Sequence, residues 1–200
     1  MSAANRGTKR RHLDHYPTPA WAIPPILARL PRGGSALDVG CGEGAILKAM
    51  IAAGWDVGSL SGVELDERRA YACEQETGAT VDHCNFIVDG PWRPFDLVIG
   101  NPPFTHAEAF AMRSLEAVAE RRGTVALLLR LSFLETAKRV AFNTAHPADV
   151  FVLSARPSFT GDGHSDSCAY AWFVWGPGRG NRWSILDVGD AKKSHSRGGR

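Results

Sequence analysis

Five consecutive apolar residues, Val125-Ala126-Leu127-Leu128-Leu129, constrain this chain more than any other stretch. A strand with one wet face alternates polar and apolar residues. A strand that is apolar at every position has protein on both faces, as in a parallel sheet layered between helices. The rest of the chain supplies matching pieces. Ala36-Leu37-Asp38-Val39, residues 60–65, a strand within 80–88, and residues 95–99 read as the first four strands, with 125–129 as the fifth. Residues 45–53, 67–76, 108–122 and 135–144 read as helices, three of them closed by Gly54, Gly78 and Gly123. Residues 150–153 and 170–175 make a sixth and seventh strand with no helix between them, so they should pair antiparallel. The pattern predicts an α/β chain with a seven-stranded, doubly wound sheet, mainly parallel with an antiparallel last strand.

Before the first strand, Thr18 is placed to cap a helix with Pro19 at its first position. Pro24 and Pro25 impose a kink or a delayed start there. The first strand ends in Gly40-Cys41-Gly42-Glu43-Gly44, where an α/β sheet carries its nucleotide loop. Glycines let that loop turn tightly and approach a ligand. Asp38 at the strand's end suits an ammonium and would repel a pyrophosphate. Glu64 ends the second strand, 24 residues after Gly40, a spacing that suits a carboxylate on a ribose diol. A dinucleotide-binding dehydrogenase is the natural competitor, but no third glycine stands at Ile46 or Leu47.

Asn101-Pro102-Pro103-Phe104 follows the fourth strand directly. Two prolines fix two φ angles and remove two N–H donors. Each also pushes the residue before it toward extended geometry. The product is a stiff turn with unclaimed carbonyls, an amide side chain and a flat ring. Such a turn can accept hydrogen bonds from a planar amine and stack on the group that carries it.

These elements resemble the class I S-adenosylmethionine (SAM)-dependent amino-methyltransferases, and within them the small phage- and prophage-type DNA adenine-N6 enzymes. The resemblance extends over most of residues 14–176. It implies a Rossmann-like sheet and SAM as cofactor. It implies that Asp38 and the backbone of Gly40, Cys41 and Gly42 hold the methionine moiety. It places the ribose on Glu64, the adenine against Leu65, and the adenine amino group on Asp89, with Pro91 or Trp92 against the ring. Thr18 and Pro19 correspond to an element that touches the methionine carboxylate. Asn101, Pro102, Pro103 and Phe104 become the catalytic turn, with Asn101 also beside the cofactor. The segment running from Arg156 through Phe159 to His164 resembles a substrate-side loop, in which Arg156 and Phe159 would contact phosphate and base.

Adenine N6 in DNA is the favoured acceptor on this reading. An RNA base, a protein glutamine N5, or a SAM-binding role as partner to an active subunit remain open. No separate recognition domain is visible, so a partner subunit could supply target selection. The four cysteines show no Cys-x-x-Cys pairing, which argues against zinc and for a reducing cytoplasm. No metal is expected. No apolar run reaches the length of a membrane span, and residues 1–12 lack the apolar core of a secretory signal. Charge is uneven: +5 over residues 1–32, −7 over 33–178 and +4 over 179–200. A basic tail over 1–12, a methyltransferase domain over 13–178 and a basic tail over 179–200 are therefore expected. Basic flanks on an acidic centre could hold a phosphate backbone.

Overall fold

The computed structural model of the chain describes residues 17–90, 93–157 and 166–189. Eight strands form one mixed sheet: β1 (Ala36–Val39), β2 (Leu60–Glu64), β3 (Thr80–His83), β4 (Leu97–Gly100), β5 (Thr124–Arg130), β6 (Asp149–Leu153), β7 (Tyr170–Trp175) and β8 (Trp183–Leu186). Their spatial order is β3-β2-β1-β4-β5-β7-β6-β8. The first five run parallel. β7 inserts antiparallel between β5 and β6. The order reverses between β1 and β4, which opens a crevice at the carboxyl ends of those strands.

The apolar run of β5 does what its composition requires. Leu128 packs into the layer on one face with Ile26, Leu47, Met50 and Trp172. Leu127 and Leu129 pack into the layer on the other face with Val98, Phe110 and Phe173. The helices that cover these faces are α1 (Pro24–Leu27), α2 (Ala45–Ala52), α3 (Glu67–Thr77), α4 (Ala107–Ala119) and α5 (Val140–Ala145). Asp66 caps α3 by accepting from Arg69 N, and Gly78 ends it in the left-handed region.

Three expectations need correction. The sheet has eight strands, and the last one, β8, is parallel to β6, while the antiparallel strand is the seventh. β8 lies inside the stretch read as a basic tail. Its signal is weak because it is an edge strand of four residues, with Trp183 74% and Ile185 55% exposed. Thr18 caps no helix: the first turn, Ala20–Ala22, is 3-10 and follows Pro19, and α1 starts late, with proline at its first positions. The helix expected over 135–144 is broken into 3-10 turns at Leu131–Leu134 and Ala137–Arg139 followed by α5. Phe133 and Phe142 are both buried against the sheet layer. They stand nine residues apart, which at about 100° per residue would put them on opposite faces of one continuous helix.

Candidate active site

The crevice is built first by the turn after β1. Gly40, Gly42 and Gly44 all have positive φ, +73°, +56° and +81°, which side chains with a Cβ rarely adopt. The turn folds onto β2. Gly40 N and Cys41 N both donate to Val63 O (2.9 and 3.0 Å). Gly42 N donates to Glu64 Oε2 (2.9 Å). Three successive N–H groups therefore point into the protein. A phosphate nest needs such groups aimed at the ligand, so this loop is built for something other than an anion.

Asp38 shows what that is. Its side chain is 1% exposed, and neither carboxylate oxygen accepts a hydrogen bond among the described residues. Burial, then the Cys73 thiol and then Glu64, push its pKa well above the ordinary carboxylate range. A buried carboxylate left this way costs free energy unless a cation or donor arrives to meet it. Glu64 is the opposite case. Oε2 holds Gly42 N, Oε1 accepts from Asp66 N (2.9 Å), and Arg69 Nη2 lies 3.5 Å from Oε1. Its orientation is fixed, and each oxygen still has a lone pair to offer.

β4 brings the proline turn to the same place. A Cβ on Gly100 would lie 2.5 Å from Val39 O. The glycine thus lets the end of β4 lie flat against the end of β1 and sets Asn101 beside the Asp38 turn. Asn101 Oδ1 is buried. The resulting cleft is about 1200 Å³ and is lined by Thr18, Asp38, Gly40, Cys41, Gly42, Glu64, Leu65, Asn101 and Pro103. One cavity thus gathers the first turn, the acidic end of β2 and the proline turn.

No family model matches the chain. Over 78 residues it is 33% identical to a type II methyltransferase of Thermus thermophilus. That stretch is 39% of this chain and only 18% of the relative, so the chain spans less than a fifth of that protein's length. Among solved structures, a candidate RNA methyltransferase of Pyrococcus horikoshii superposes with a TM-score of 0.64 at 18% identity, over 86% of this chain and 91% of that one. A TehB-like SAM-dependent methyltransferase of Corynebacterium glutamicum gives 0.54 at 21% identity, over 78% and 86%. The fold is that of the class I SAM-dependent methyltransferases.

Within this methyltransferase fold, several expected site residues stand elsewhere than the sequence suggested. Asp89 is not on the cleft. Its Oδ2 accepts from Asn85 N (3.0 Å) and its N donates to Asn85 O (2.7 Å), closing a turn on itself. Asn85, Phe86 and Ile87 line the cleft instead. Asn85 stands two residues past β3 in an Asx turn, its Oδ1 accepting from Ile87 N (3.0 Å), and nothing in the Asp-Gly-Pro sequence pointed to it. Pro19 and Pro102 also lie outside the lining, whereas Thr105 and His106 belong to it.

Phe104 turns toward β7. Its ring lies under the Arg130 guanidinium (4.8 Å) and 5.3 Å from the Tyr170 ring. Arg130 Nε donates to Tyr170 OH (3.1 Å), and Tyr170 OH donates to Asp166 Oδ2 (2.6 Å). Burial and then that carboxylate raise the Tyr170 pKa. Asp166 N donates to Pro157 O (2.8 Å), which pinches the stem of the loop beyond β6. Arg156, on this stem, is exposed, with Nη1 3.4 Å from Ser167 O. Phe159 and His164 in the loop, and Pro91 and Trp92, lie outside the described residues. Among the described residues, no group of three or more His, Cys, Asp or Glu side chains could hold a metal ion. No described helix is long and apolar enough to cross a membrane.

Proposed function

We propose that this chain is a SAM-dependent amino-methyltransferase whose favoured acceptor is the exocyclic N6 of adenine in DNA. The observation that carries the reading is the pairing, in one cleft, of a partnerless buried Asp38 with the Asn-Pro-Pro turn. The donor set fits SAM. Asp38 meets the ammonium of the methionine moiety, and the loop's committed N–H groups leave a surface suited to a cation. Glu64, held by Gly42, Asp66 and Arg69, takes the ribose hydroxyls. Leu65, Asn85 and Thr18 also line the cleft; the resemblance sets Leu65 against the adenine and Thr18 at the methionine carboxylate.

SAM supplies a methyl group already activated on a sulfonium, so the cofactor carries the hard chemistry. The protein's task is alignment and charge placement. Asn101 Oδ1 would accept one hydrogen of the target amine, and the motif assigns the other to the Pro102 carbonyl, although Pro102 itself does not line the cleft; the two acceptors would aim the lone pair at the methyl. The stiff proline turn holds both acceptors without reorganisation. Once alkylated, the nitrogen is strongly acidic, and its proton passes to water without a dedicated base. Phe104 and Arg156 are assigned to the substrate side, and the resemblance adds Phe159. On this reading a flipped base would stack on Phe104, a contact that brings ~1–3 kcal/mol.

DNA is favoured by the resemblance of the catalytic turn and loop to DNA adenine enzymes and by the likeness to a type II methyltransferase. An RNA base is the second reading, supported by the superposition on a candidate RNA methyltransferase. Asn101→Ala tests the shared chemistry. Turnover should fall by on the order of a hundredfold or more, while SAM binding measured by calorimetry stays within a few-fold of wild type. Retained turnover would remove Asn101 from the reaction.

A further inference from the structure

The described sheet ends in two strands, β3 and β8, and they meet solvent differently. β3 is Thr80-Val81-Asp82-His83, with three of its four residues exposed and a carboxylate in the row. A charge in an edge strand hinders the approach of another strand. β8 is Trp183-Ser184-Ile185-Leu186 and carries no charge, no proline and no glycine. Trp183 is 74% and Ile185 55% exposed. Both stand on the face of the Val150 and Phe173 layer, because Trp183 lies beside Val150 and Ile185 beside Val152. Trp183 lines a groove of about 410 Å³ there, with Leu131, Leu134 and Val152. An apolar groove lies beside the indole, and the residue still stays mostly in water.

The backbone of β8 is oriented as well. Val150 N donates to Arg182 O (2.8 Å), and Ser154 N donates to Leu186 O (3.1 Å). The main-chain groups of residues 182, 184 and 186 therefore face β6, and those of Trp183 and Ile185 face outward. Among the described residues, no turn or loop hydrogen bond reaches this outward row. Two outward residues with a small one between them make a self-complementary edge. Set antiparallel to a second copy, with a two-fold axis through Ser184, Trp183 of each chain stands opposite Ile185 of the other. Both are hydrogen-bonded positions, so four main-chain bonds close. Two aromatic–β-branched pairs form on one face. On the other face Ser184 meets its counterpart, and serine is small enough for the close approach at that position. The charges agree too. Arg182 precedes the strand and Asp187 follows it, both exposed, and antiparallel pairing sets the arginine of one copy beside the aspartate of the other.

We infer that β8 is a dimer interface: a second copy of this chain adds its own β8 antiparallel and joins the two sheets across a two-fold axis at Ser184. The contact is isologous, so one edge supplies both halves. Antiparallel pairing points the carboxyl ends of the two sheets in opposite directions, so the two clefts open away from each other. Each cleft is lined by its own chain. The interface is small, a four-residue strand and two large side chains per copy, so it belongs with the weak associations, with a Kd on the order of micromolar. The inference goes beyond the proposed function and holds whichever acceptor the cleft serves.

Sedimentation velocity on the full chain, from low micromolar to several hundred micromolar, tests the pairing. Wild type should pass from monomer to dimer over that range. Trp183→Lys puts a charge in the row and removes both aromatic pairs, since each copy contributes one. Its dimerisation should weaken by about tenfold or more, while its melting temperature and SAM binding stay as in wild type. A second arm reads the geometry. Ser184→Cys, with Thr80→Cys on the β3 edge as control, is exposed to oxidised glutathione. The close pair at the axis brings the two introduced thiols within disulfide reach. The Ser184→Cys protein should therefore run as a covalent dimer on non-reducing gels under conditions where wild type and the control do not. A wild type that stays monomeric at several hundred micromolar overturns the pairing and leaves the β8 edge to a different chain. A Trp183→Lys protein that dimerises like wild type, or cross-linking of Thr80→Cys equal to that of Ser184→Cys, overturns it as well.

Discussion

Two buried aspartates stand on the same sheet and live opposite lives. Asp149 begins β6, away from the cleft, and every reach of its carboxylate is answered. Arg182 Nε and Nη2 lie at 3.1 and 2.7 Å, Arg179 Nη1 at 3.4 Å and Gly180 N at 3.0 Å. Burial pushes its pKa up, but Arg182, Gly180 and Arg179 overcome that and hold it at about 2. Asp38 ends β1 at the cleft, and no described residue answers it. Burial pushes it up, and the nearby Cys73 and Glu64 push it further. One carboxylate has its partners in the chain and fastens the turn that leads into β8. The other waits for a partner from outside. A fold tolerates such an unmet charge where a ligand will meet it.

The largest expected effect breaks this contrast from the Asp38 side. Asp38→Asn should weaken SAM binding by on the order of a hundredfold, the loss of one charge-assisted hydrogen bond of about 3 kcal/mol. Isothermal titration measures it, and affinity within threefold of wild type would show that Asp38 has another purpose.

Next comes stability without ligand, where the two residues carry opposite signs. The folded-state pKa of Asp38 is raised, so its ionisation opposes folding, and stability is lost as pH rises above 3.8 toward the raised value. The ligand-free Asp38→Asn protein should therefore melt higher than wild type in the alkaline range, and the gap should close as pH falls. A wild type that melts higher at every pH would contradict the reading of an unmet charge.

The smallest effect is on the Asp149 side. Its pKa is lowered from 3.8 to about 2, so its contribution is present above pH 3.8 and lost as pH falls through about 2. Asp149→Asn should cost at most about 2 kcal/mol at neutral pH, because Arg182 is 67% exposed and screened. Denaturant melts should show that cost shrinking between about pH 4 and pH 2, with SAM affinity unchanged throughout. A change in SAM affinity would join two regions described here as independent.

Much of this was legible in the residues. The all-apolar β5 dictated a sheet covered on both faces. Glycines at 40, 42 and 44 marked the turn, and Asp38, Glu64 and Asn101 do meet in one cleft. What escaped was carried by tertiary packing rather than pattern. Trp183 and Ile185 advertise an edge strand to solvent and so leave almost no alternation to detect. Asp89 and Asn85 sit four residues apart in one turn, and only the folded turn shows that Asn85 lines the cleft while Asp89 accepts from Asn85 N. The Phe104 ring followed its motif in sequence, but Arg130 and Tyr170, from strands 26 and 66 residues later, set its direction.

The central claim is that this cleft moves a methyl group from SAM to an exocyclic amine. Tritiated methyl transfer from SAM, with unmethylated DNA, RNA and a protein lysate offered separately and the labelled product digested and identified, tests it most directly. The account predicts label in DNA, released as N6-methyladenine, and none from the Asn101→Ala protein. Label on a carbon or oxygen acceptor, or none on any acceptor despite measurable SAM binding, would contradict it.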